Sequence, residues 1–179
     1  MISASTTYGL LAEFTTAEAL LAAASQSREA GYRRMDSYSP FPVEGLAEAM
    51  GLTRNRIPVV VFLGALLGGG CGYFMQWYSN VIDYPIDVGG RPFHSWPMFI
   101  PITFELTILG AAFAAVFGML GLNGLPRPYH PVFAVPGFEH ATRDRFFLCI
   151  QANDPQFDSE RTREFLQTLG PVKITSVSL

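Results

Sequence analysis

Residues 57–82 contain no charged side chain, and residues 95–125 contain only one, Glu105. Nothing else in the chain constrains its fold as strongly. About 20 helical residues suffice to cross a hydrocarbon core of ~30 Å, and each run is long enough. Polar segments of similar size lie on either side of the pair. The pattern predicts a two-helix membrane hairpin with soluble flanks.

The first membrane helix is expected over residues 58–78. Pro58 suits a first-turn position, where its missing N–H costs nothing, and Tyr73, Trp77 and Tyr78 gather at the far end as interfacial aromatics do. The second is expected over residues 97–122, ended by Asn123, Gly124 and Pro126. Phe93, Trp96 and Phe99 mark the same interface, which leaves a short periplasmic loop over residues 79–96. That loop has Arg91 against Asp83 and Asp87, whereas Arg54, Arg56, Arg127, Arg143 and Arg145 flank the helices on the other side. The positive-inside rule therefore places both termini in the cytoplasm. The N-terminal segment lacks a basic region followed by a long apolar stretch, so the first membrane helix is expected to act as its own insertion signal.

Small residues form rows on both helices. Gly64, Gly68 and Gly72 repeat every four residues, as do Gly110, Ala114 and Gly118. Such rows let backbones approach closely where lipid supplies no hydrophobic drive for association. The two rows either pack on each other or dock another subunit, and Gly69 and Gly70 lie off the main row. Glu105 sits at membrane depth, about 12 Å along the helix from Pro97. It reads either as a proton-path or quinone-proximal carboxyl, flanked by Thr103 and Thr107, or as a protonated acid bonded to a neighbouring helix as assembly glue. Pro101 would free backbone carbonyls near this level and offer a partner.

The flanks read as two βαβ halves. In the first (residues 1–57), residues 8–14 form a strand, and Thr15 with Glu18 suggests a capping box opening a helix that stops at Gly31. Residues 32–38 form a second strand, and residues 43–50 a short helix. In the second (residues 145–179), residues 145–152 form a strand, Asp158 caps a helix that ends at Gly170, and residues 172–177 close the half. Neither half buries much alone. Together they predict an α+β membrane protein: a ferredoxin-like βαβ–βαβ cytoplasmic domain interrupted by the hairpin between its second and third strands, which are neighbours in that fold. Residues 123–144 show no convincing periodicity and read as an extended, Pro-rich connector. Its apolar character suggests either docking on another surface or skirting the membrane.

Several functions are excluded. A net charge of −3 with scattered arginines provides no basic surface for nucleic acid. Cys71 and Cys149 form no disulfide framework, zinc pair or haem attachment, and read as buried apolar thiols. His94, His130 and His140 are isolated in loop-like sequence, so no metal site is expected. No phosphate-binding glycine loop, nucleophile elbow or paired-carboxylate cluster is present, and no catalytic residue is assigned.

Taken in order, several segments resemble one family. They are Tyr8-Gly9-Leu10-Leu11-Ala12-Glu13-Phe14, the Ala/Leu-rich first helix, Ala30-Gly31-Tyr32, and Tyr38-Ser39-Pro40-Phe41-Pro42-Val43 with Gly45-Leu46. The glycine-rich membrane helix, the loop from Asn80 to Arg91 with Trp96-Pro97, Pro126 with Pro128, and Asp154-Pro155 with Phe157-Asp158 continue the match. The chain resembles the D subunit of bacterial alternative complex III, a quinol-oxidising membrane complex. The resemblance implies a non-catalytic, cofactor-free accessory subunit in the inner membrane. Haems, iron–sulfur clusters and quinol would reside on partner subunits, of which some are integral to the membrane, in a respiratory or photosynthetic electron-transfer chain. Two other classes compete: a stand-alone membrane-anchored regulatory or stress protein with a ferredoxin-like sensor domain, and a small channel, which needs more aligned polar residues than Glu105.

Overall fold

The computed structural model describes residues 7–52 and 54–179. Its elements in chain order are β1 (Thr7–Phe14), α1 (Ala17–Glu29), β2 (Met35–Tyr38), α2 (Leu46–Ala49), α3 (Ile57–Trp77), α4 (Trp96–Leu122), β3 (Phe146–Gln151), α5 (Ser159–Thr168) and β4 (Lys173–Ser178). They form one four-stranded antiparallel sheet and two helices long and apolar enough to cross a membrane. Two compact units result: residues before Arg54 together with Pro128–Leu179, and Arg54–Arg127.

In the first unit the strand order is β2-β3-β1-β4. Neither half places its own two strands side by side. Pairing runs between the halves, β1 with β3 and β4, and β2 with β3, so each half needs the other to hydrogen-bond its backbone. Gly9 allows part of this pairing, because a Cβ there would collide with the Ile150 carbonyl oxygen.

Both faces of the sheet are covered. Leu10, Ala12 and Phe14 lie opposite Ile150, Leu148 and Phe146, and pack with Leu20 and Ala24 of α1 and Leu166 of α5. Leu11, Phe147, Cys149 and Val177 belong to a second cluster, completed by Val132, Val135, Phe138 and Ala141. The segment expected to be an extended connector is therefore wound into two 3-10 turns, Pro131–Ala134 and Phe138–Thr142, that dock on the chain's own sheet. Its periodicity is present after all: the four apolar residues recur every third position, the repeat of a 3-10 helix.

Local differences have local causes. The cap of α1 is Thr16, not Thr15, and its hydroxyl accepts from the Ala19 N–H at 3.2 Å. β2 begins three residues later than expected, because the N–H groups of Arg33 and Arg34 are directed to the Asp154 carboxylate rather than into a ladder. Asp158 caps α5 by accepting from the N–H groups of Glu160 and Arg161. In β4 the fully buried residue is Val177, while Val172, expected to open this strand, lies just before it and is exposed.

In the second unit, α3 places Pro58 in its first turn. It does not stop at Tyr78. A π turn carries it through Asp83, since no proline or glycine interrupts the chain before Pro85. Helix α4 runs through Pro101 without ending. Only 6% of the most apolar window of either helix is buried, which separates both from the core helices of a water-soluble domain.

Candidate functional site

The hairpin carries the features that distinguish this chain. Gly64, Gly68 and Gly72 of α3 face Gly110, Ala114 and Gly118 of α4 along one seam. A Cβ on Gly64 would collide with that of Ala114, and one on Gly68 with the Leu106 carbonyl oxygen. On the other side, a Cβ on Gly110 would come within 2.5 Å of the Gly64 carbonyl oxygen, and one on Gly118 within 2.7 Å of Val60 Cγ1. Gly72 is similarly closed in by Leu106 and Thr103. Gly69, apparently off the row, also belongs to the seam, against Thr107, whereas Gly70 and Gly121 face open space. Both rows are thus occupied inside the hairpin. Such close backbone approach gains dispersion and Cα–H···O contacts, the forces that remain when the solvent is hydrocarbon.

A polar lock sits at the end of the seam. Gln76, buried between the helices, directs Nε2 to the carbonyl oxygens of Gly72 and Phe99, at 3.0 and 3.1 Å, and to Thr103 Oγ1 at 3.2 Å. The backbone carbonyl of Gln76 accepts from Asn80 Nδ2 at 2.7 Å. The sequence reading missed Gln76, although an amide inside an uncharged membrane run is a signal by itself. Nearby, Tyr73 and His94 share a 2.6 Å hydrogen bond, with their rings against Phe99.

Glu105 lies elsewhere. Thr103 and Thr107 turn toward α3, and Glu105 stands about 200° round the helix from Thr103 at 3.6 residues per turn. Its side chain is exposed, and among the described residues it has no hydrogen-bond or ion-pair partner. The backbone carbonyls near Pro101 that were expected to offer Glu105 a partner do not bond it, and one carbonyl of that stretch, that of Phe99, accepts from Gln76. An unsatisfied carboxylate at the centre of a membrane helix costs of the order of 3 kcal/mol on insertion scales.

The sheet unit offers little chemistry. Burial, reinforced by the Asp36 charge, pushes the Cys149 thiol up to about 12, so it stays neutral and unreactive. Cys71 differs from the buried thiol expected: it is exposed on α3. The histidines are paired rather than isolated, His94 with Tyr73, His130 with Tyr8 and His140 with Asp144. A cavity of about 610 Å³ beside Tyr32, Arg161 and Phe165 contains no nucleophile–base pair.

The strongest polar feature here is structural. Buried Asp154 accepts from the backbone N–H groups of Arg33 and Arg34, at 2.6 and 2.7 Å, and of Gln156 at 2.8 Å. Burial by itself would raise this carboxyl. The three N–H groups, with the Arg34 charge, outweigh burial and hold it below the ordinary value. Asp154 thereby ties the entry of β2 to the turn after β3.

A family model described as "Alternative complex III, ActD subunit" matches residues 8–176. No curated protein matches the chain.

Proposed function

The chain belongs to the ActD subunit family of alternative complex III, and from that premise we propose that it is a non-catalytic integral-membrane subunit of a respiratory or photosynthetic quinol-oxidising electron-transfer complex. The observation that carries this reading is the family match, which runs through the sheet unit and the hairpin alike. Cys71, Cys149 and the three histidines match no haem-attachment, zinc-pair or cluster-binding spacing, which supports assigning haems, iron–sulfur clusters and quinol to partner subunits.

The hairpin supports assembly in the bacterial inner membrane, with both termini cytoplasmic by the arginine bias. The β2-β3-β1-β4 order, with α1 after β1 and α5 after β3, supports a ferredoxin-like reading of the sheet unit. Purification through a tag on this chain in mild detergent tests the whole proposal. Haem absorbance should co-elute with the chain, and migration of the chain alone, without haem proteins, would overturn it in favour of a stand-alone membrane protein.

Glu105 is where an assembly role and proton movement diverge. Its position as the only charged residue in residues 95–125 makes either chemically available. Turnover and proton release of the Glu105→Gln complex separate them. Loss of proton release from a fully assembled complex supports proton movement, and unchanged values leave assembly as the role.

A further inference from the structure

We infer that the outward face of α4 around Glu105 docks a membrane-embedded helix of another subunit, and that this helix presents a hydrogen-bond donor at the depth of Glu105. The inference rests on the proposed subunit role and names the kind of partner. Three observations converge. Glu105 points away from the seam, so α3 cannot reach it. Met98, Ile102, Ile108 and Leu109 surround it as an exposed apolar collar, a surface that would suit lipid were the carboxyl absent. The side chain lies about 12 Å from the nearer helix end, too deep for a short glutamate to snorkel to headgroups.

Hydrocarbon has no donor to offer at that depth, and a buried polar group without a partner is unfavourable. A donor-bearing helix satisfies the carboxyl and covers the collar together. Two copies of this chain joined through the same face would oppose carboxyl to carboxyl and bond only where at least one is protonated, whereas a donor-bearing helix meets the carboxyl in either state.

Photocrosslinking in intact membranes tests this. A benzophenone side chain placed at Ile108 should couple to a membrane helix of another complex subunit, at a peptide carrying a donor residue. A probe at Leu67 on α3 serves as the position control. Glu105→Leu should lower the Ile108 yield about three- to eighteenfold, the range for polar contacts between membrane helices, and Glu105→Gln, which keeps an acceptor, should lower it less. Coupling only to lipid, coupling to a second copy of this chain, or a yield untouched by Glu105→Leu would each overturn the inference. Tag purification of the same cells separates the two failures. A chain that still brings the haem-bearing complex while Ile108 labels only lipid refutes the docking face alone; a chain that brings no complex refutes the subunit role.

Discussion

The sheet unit and the hairpin are built from similar apolar residues placed in opposite ways. In the sheet unit, Phe14, Leu20, Leu148, Ile150 and Leu166 are buried. In the hairpin, Phe62, Leu67, Phe104 and Phe117 are exposed, and the closest packing is at glycines, Gly64 against Ala114 and Gly68 against the Leu106 carbonyl. Water drives large side chains inward because removing their area from water is favourable. Hydrocarbon provides no such drive, so the helices join where their backbones come closest and where an amide finds acceptors. One chain thus contains two packing logics, each suited to its solvent.

That contrast is open to direct attack. The largest effect is expected from Leu148→Ala, about 2–5 kcal/mol from lost transfer energy and the cavity left behind. Leu67→Ala, on the outer face of α3, should stay within about 0.5 kcal/mol. Pulse proteolysis of the full chain in detergent measures the first, and SDS titration measures the second; an equal cost would break the contrast.

Asp154→Ala comes next. Orphaning N–H groups that now bond a carboxylate is expected to cost roughly 2–4 kcal/mol. The pH dependence has a definite sign. Since the folded carboxyl titrates below its ordinary value of 3.8, its stabilisation is complete above that value and is lost as pH falls through the lower folded one. Unfolding measured from pH 7 downward should show an acid-dependent loss beginning near about pH 4 that is smaller in Asp154→Asn. An unchanged acid limb would contradict the N–H cradle.

Within the hairpin, Gly64→Leu should destabilise helix pairing by about 1–3 kcal/mol through overpacking. Gly70→Leu, where no atom lies within 4 Å, should be near neutral. Trp77 and Trp96 both lie in the hairpin, so their fluorescence during SDS titration reports on this unit. Among the seam contacts the smallest expected loss is Gln76→Leu, about 0.6–1.7 kcal/mol by the same titration. If Gln76→Leu were stabilising, the polar lock would be incidental to pairing.

Some of this architecture was legible beforehand and some was not. The membrane helices, the Asp158 cap and the approximate strand positions follow from apolar run length and capping chemistry, which are local. The Thr15/Thr16 difference shows the grain of such reasoning: two adjacent threonines satisfy nearly the same pattern, and only backbone geometry selects one. The second layer over the sheet left signals that were readable but unread. β1 and β3 are apolar on both faces rather than alternating, which implies two covered faces, and Val132, Val135, Phe138 and Ala141 recur every third residue.

The two long apolar runs, the polar flanks and the hairpin's place between β2 and β3 are properties of the sequence, because hydropathy and length act residue by residue. Which glycines meet, which side of α4 carries Glu105, and which N–H groups Asp154 gathers are decided only in three dimensions. Each depends on the azimuth at which residues distant in the chain come into contact, and close packing sets that azimuth.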